Sequence, residues 1–243
     1  MSWYDFGGGK PLGELREEAL AILADPPAHL GALRPVAAEG RKPASTALGA
    51  AFAEAAAAWG RSASRVSKAR GYLRNHCLID LRVKEADAGA RAARGGGGAD
   101  ALVHGGDTYG AVFRLKPPPA RWWDALVREA AAAPPADAAA LAAGRLPPAL
   151  EERLADPDCP LLPRARGVAT SCECLDGESA CKHVLCAMLG LAVLIDREPL
   201  LLLRVHGLDP ARLLPDLTGT LPPEDAAPVD ALDAATAARL FGL

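Results

Sequence analysis

The sequence predicts an α+β fold, with helices around a small antiparallel three-stranded sheet and a C-terminal module built on a cysteine–histidine cluster. Apolar residues recur at three-and-four spacing near the N-terminus, three runs of strict alternation lie between residues 77 and 115, and Cys-x-Cys and Cys-x-His pairs fall within residues 172–183. A chain of 243 residues that is 50% hydrophobic can bury a core, which excludes an intrinsically disordered protein.

Leu12, Leu15, Ala19, Ile22 and Leu23 share one helical face, with Glu14, Glu17 and Glu18 elsewhere, so residues 12–24 are expected as an amphipathic helix. Ser45 or Thr46 is placed to cap a second helix through Phe52 to Trp59, stopped by Gly60. From Cys77 to Lys84 the pattern is that of a strand, with Cys77, Ile79, Leu81 and Val83 on the buried face and Leu78, Asp80, Arg82 and Lys84 opposite. Alternation returns at Ala101 and Val103, and at Tyr109, Ala111, Phe113 and Leu115, across a His104–Asp107 turn. These three strands make an antiparallel meander. Gly95–Gly98 lacks the Lys-Ser/Thr ending of a phosphate loop and reads as a flexible connection.

Pro117–Pro119 end the sheet, and a helix from Arg121 presents one of Trp122 and Trp123 to the core and the other near the surface. Short helices are expected on either side of Arg145–Pro148, then a proline-rich loop in which Cys159 is an exposed thiol. Val184–Ile195 is apolar nearly all round, as a buried helix is, with Cys186 packing inside it. The acidic, proline-rich stretch 217–229 reads as a linker to a short terminal helix. The expected divisions are 1–155, an N-terminal α+β domain; 156–210, the cysteine–histidine module; and 211–243, linker and terminal helix.

Two features point to function. Cys172, Cys174, Cys181 and His183 form C-x-C…C-x-H, two close pairs that a six-residue loop with Gly177 can bring to one ion. Thiolates and imidazole in tetrahedral fours hold zinc, and a closed set of four leaves no position for activated water, so one structural Zn²⁺ is expected. The second charge feature is local: the chain carries a net −3, yet residues 61–84 hold seven Lys and Arg against Asp80 alone. Arg65, Lys68, Arg70 and Arg74, with Tyr72 among them and Lys182 beside the thiolates, are candidates for gripping nucleic-acid phosphates and stacking on a base. A solvated loop explains the same charges, and both readings stand at this point. No secretory leader opens the sequence and its longest uncharged apolar run is too short to span a bilayer, so a cytoplasmic protein with reduced thiols is expected, without a membrane partner. His29, His76, His104 and His206 have no local nucleophile or acid–base arrangement, and no enzyme is expected.

Ser171–Cys174, Ala180–Val184 and Asp196–Arg204 with Gly207 resemble the SWIM zinc-finger family, in particular its stand-alone bacterial members. Glu39–Lys42, Tyr72–Asn75, Ile79–Leu81, the strand end Leu115–Pro117 and Leu240–Leu243 are similar to other segments of that group. The resemblance implies a noncatalytic module that binds DNA, or a protein partner such as a Snf-type DNA translocase. Leu48 and Phe52 stand where relatives carry tryptophan, and Ser45 and Ala50 where they are more basic, so any partner contact made there is changed.

Overall fold

The computed structural model describes residues 10–86, 96–174 and 176–214. The first helix, α1 (Leu12–Ala24), buries Leu15 and Ala19 as its spacing requires. Thr46 caps α2 (Ala47–Trp59) by accepting from Gly49 N, and Ser62 caps α3 (Ala63–Arg74) by accepting from Arg65 N. Strands β1 (Leu78–Lys84), β2 (Gly98–His104) and β3 (Thr108–Leu115) follow, then α4 (Ala120–Ala131), α5 (Pro135–Ala142) and α6 (Pro148–Ala155). After them come β4 (Val168–Cys172), α7 (Lys182–Arg197) and α8 (Leu201–Val205).

The sheet has four antiparallel strands in the order β1-β2-β3-β4, rather than three. The added strand is the run into the first two cysteines, pairing Val168 with Leu115 and Cys172 with Ala111. Its five residues alternate only between half-buried and exposed, which leaves little hydrophobic signal. A register shift between Leu78 and Asp80 also breaks the expected alternation of β1, so Leu78, Ile79, Asp80 and Leu81 are all buried. Asp80, 3% exposed, is satisfied by Arg34 N at 2.9 Å and Arg82 Nε at 2.6 Å. The segment carrying Arg34 and Val36 covers the outer edge of β1: Val36 N donates to Leu78 O and Leu81 N to Arg34 O.

Gly96–Gly98 form a packed strand entry, not a flexible connection. A Cβ would lie 1.6 Å from Leu115 O at Gly96, 1.9 Å from Val205 O at Gly97 and 2.0 Å from Phe113 O at Gly98. Only glycine admits so close a backbone approach.

At the centre, α7 lies on the sheet and packs against α2 and α3, with twelve of its sixteen residues buried. Cys186 and Cys77 are both within this core. Asp196, near the C-terminal end of α7, accepts from Ser45 N (2.8 Å), Ser45 Oγ (3.0 Å) and Thr46 N (2.6 Å), tying the entry of α2 to the helix's last turn. One hydrophobic core therefore runs from Leu15 to Leu213 and crosses the boundary expected at 155/156, because β4 and α7 complete the sheet and helical layers of the preceding part. Leu48 and Phe52 are wholly buried in it, so they contact the core and not a partner. Trp123 is buried on α4 and Trp122 half-buried at its margin, as expected. Cys159 is a correction: it is 4% exposed, because Leu161 and Leu162 turn inward beside it and its N–H bonds Asp156 O. The expected terminal helix lies outside the described residues. No helix among the described residues is long and apolar enough to cross a membrane.

Candidate metal centre and the two faces of α3

The four cluster residues arrive from different elements. Cys172 ends β4, Cys174 follows it, Cys181 is the N-cap of α7, and His183 sits in its first turn. Gly177 takes φ +68° in the return between the pairs, a left-handed turn that favours glycine. One ligand atom from each of the four can be chosen so that all lie within 4.8 Å of one another, with Cys172 Sγ 3.7 Å from His183 Nδ1. Ligands about 2.0–2.3 Å from a tetrahedral ion stand about 3.5–3.8 Å apart, so the four are close enough to hold one metal ion.

The electrostatics agree with that fit. Burial raises the Cys172 and Cys181 thiols, and burial followed by the Lys182 charge lowers His183 to about 4, leaving its imidazole neutral. A divalent cation offsets this desolvation by replacing thiol protons. The Val184 N–H already points at Cys181 Sγ, at 3.5 Å, and the N-terminal end of α7 favours thiolate charge. Nδ1 of His183 faces the sulfurs, while Nε2 is buried without a hydrogen-bond partner among the described residues. The ring is oriented by stacking instead, between Tyr109 at 4.4 Å and Tyr72 at 5.9 Å between centroids.

Glu173, between the first two cysteines, locks the site to the sheet: its carboxylate accepts from Gly110 N at 2.7 Å and its own N–H donates to Gly110 O. Asp176 in the loop between the ligand pairs accepts from Arg65 of α3 at 2.9 Å, with Glu178 of the same loop at 4.0 Å. One face of α3 is thereby pinned to the cluster.

The remaining candidates divide by face. Tyr72 is 7% exposed and packs on His183, so its ring is not presented to a base; α3 turns it inward with Val66, Ala69 and Leu73. Lys182 is half-buried at the start of α7 and Lys68 is exposed. Arg70 and Arg74 are on the other face, where they meet Arg41 and Arg61 around an open cleft of about 700 Å³. Arg61 belongs to the basic run in the sequence, but Arg41 precedes α2 and joins the cleft through the fold, in which α2 and α3 both pack on α7. His104 bonds Glu18 at 2.8 Å and His206 bonds Leu161 O at 2.9 Å.

Comparison with protein-family models, curated proteins and solved structures gives no match for this chain.

Proposed function

We propose that the protein is a noncatalytic nucleic-acid-binding module of the SWIM zinc-finger type, cytoplasmic, in which one structural zinc ion braces a basic helix. Cys172, Cys174, Cys181 and His183 hold the ion, and the four-ligand set leaves it no catalytic position. The observation that carries this reading is the tie from the ligand loop to the basic helix: Asp176, between the ligand pairs, holds Arg65 of α3, while Arg70 and Arg74 of the same helix stand on its other face. Phosphate contacts come from Arg70 and Arg74, with Lys68 and Lys182 adding to the field. Arg65 and Tyr72 support the helix.

Fluorescence anisotropy with single- and double-stranded DNA, at low and near-physiological salt and with a chelator-treated control, tests the proposal. Salt-sensitive binding that is lost with the zinc is expected; absence of binding at low salt contradicts it.

One observation favours a second reading, an adaptor for a protein such as a DNA translocase. A groove of about 850 Å³ beside β4 has an apolar floor including Leu115, Leu162 and Val168 and a rim of Arg114, Lys116, Arg164 and Arg166. The outer edge of β4 makes no backbone pairing among the described residues, so an extended acidic segment of a partner fits there. Charge reversal at Lys116 and Arg166 weakens such a partner and leaves DNA affinity in place.

A further inference from the structure

We infer that the cleft between α2 and α3 is a discrete phosphate-binding site, which takes consecutive phosphates from a nucleic-acid strand or from a free oligophosphate. For the strand, this rests on the nucleic-acid reading above; for the free anion it does not.

Charge is the first argument. Arg41, Arg61, Arg70 and Arg74 line one cleft, no carboxylate lines it with them, and none of the four is ion-paired among the described residues. In the groove beside β4, by contrast, two of the four rim cations are already ion-paired, Arg114 with Asp100 and Arg164 with Asp158. Four like charges gathered without a counter-charge repel one another, and a multiply charged anion relieves that repulsion.

The donors are also arranged for it. Nε of Arg70 is buried and has no hydrogen-bond partner among the described residues, so its guanidinium edge is desolvated while the residue as a whole stays part-exposed. A planar guanidinium presents parallel N–H groups that match two phosphate oxygens. Arg70 and Arg74 lie one helical turn apart on the same face, and the exposed Ser67 hydroxyl lies beside them.

The backbone supplies the third argument. Arg61, in the turn joining α2 to α3, has φ +54°, a left-handed conformation that glycine adopts at less cost. Held there, Arg61 lines the cleft with the other three arginines. At about 700 Å³, lined by short side chains such as Val66, the space admits more than one phosphate group.

Isothermal titration calorimetry at near-physiological salt, on the zinc-loaded full chain, tests the inference with three probes: tripolyphosphate, a single-stranded oligonucleotide and an oligoglutamate peptide. One saturable tripolyphosphate site per chain is expected. Arg70→Gln and Arg41→Gln should each weaken it about tenfold, while Arg145→Gln, an exposed cation outside the cleft, leaves it unchanged. Zinc content and circular dichroism confirm that each variant is folded. Oligonucleotide affinity should fall in the same two variants, with a salt slope shallower by about one per arginine.

No saturable tripolyphosphate binding, an Arg70→Gln affinity equal to that of Arg145→Gln, or oligoglutamate binding as tight as tripolyphosphate overturns the cleft. Oligonucleotide binding that ignores Arg41→Gln and Arg70→Gln overturns it for the strand and removes Arg70 from the phosphate contacts, while nucleic-acid binding itself stands and is carried by other cations. Arginine-dependent tripolyphosphate binding without oligonucleotide binding upholds the cleft as a site for free oligophosphate and removes the nucleic-acid reading.

Discussion

The two faces of α3 carry the same residue type and put it to opposite uses. On the face towards the cysteine–histidine cluster, Arg65 is pinned by Asp176, and Tyr72 stacks on His183. On the other face, Arg70 and Arg74 meet Arg41 and Arg61 with no carboxylate among them. Charge beside the cysteine–histidine cluster is matched within the chain; charge on the cleft side has no ion-pair partner among the described residues. A count of cations along the sequence treats these residues as one patch, whereas the fold separates them by helical face.

The largest effect is expected from the metal side. Cys181→Ser or strong chelation should abolish stoichiometric zinc, read by elemental analysis, and loosen residues 165–205, read by hydrogen exchange. A structural zinc contributes on the order of 10 kcal/mol to local folding. If this side also positions the cleft, phosphate binding is lost with the metal; binding that persists unchanged separates the two faces.

A smaller effect tests whether acid sensitivity resides outside α3. Burial lowers His206 to about 4, although backbone carbonyls of Leu161 and Lys116 pull the other way. An unfolded histidine takes up its proton near 6.5, so between pH 6.5 and pH 4 the unfolded chain binds more protons and the fold weakens as the pH drops. The contribution is complete above pH 6.5, and about 3 kcal/mol is lost by pH 4. Denaturant melts of wild type and His206→Gln across this window check it: the variant should show the shallower slope. Guanidinium groups keep their charge throughout, so the cleft itself contributes no slope here.

Tyr109→Ala should remove a ring 4.4 Å from His183 and cost about 1 kcal/mol, read as faster zinc loss to a competing chelator at unchanged stoichiometry. Tyr109→Phe should retain the wild-type rate, because stacking and not the hydroxyl orients the imidazole. The smallest effect is expected at Arg65→Gln. Its ion pair with Asp176 is part-exposed on both sides, so melting should shift by no more than about 1 kcal/mol.

Much of this architecture was legible in local sequence. Leu12–Ala24 and Ala47–Trp59 were readable because apolar spacing, the Thr46 cap and Gly60 agree. The cluster was readable because all four donors fall within one short stretch and need only a turn to meet. Helix α3 was hidden by its own cations: Val66, Ala69 and Leu73 keep the helical spacing and Ser62 caps it, but the charges around them equally suit a loop. Strand β4 has too little apolar contrast to stand out, and the shift at Leu78/Asp80 defeats alternation from within. The cleft was illegible because Arg41 joins Arg70 and Arg74 around it only in the fold, where α2 and α3 both pack on α7.

The most direct test of the account is the salt dependence of oligonucleotide binding in zinc-loaded wild type, Arg65→Gln and Arg70→Gln. Removing a cation that neutralises one phosphate lowers the slope by about one. The account predicts a shallower slope for Arg70→Gln and the wild-type slope for Arg65→Gln, since Arg65 already neutralises Asp176. Equal slope changes in the two variants would contradict it, because α3 would then be a uniform basic surface rather than a helix with one structural face and one binding face.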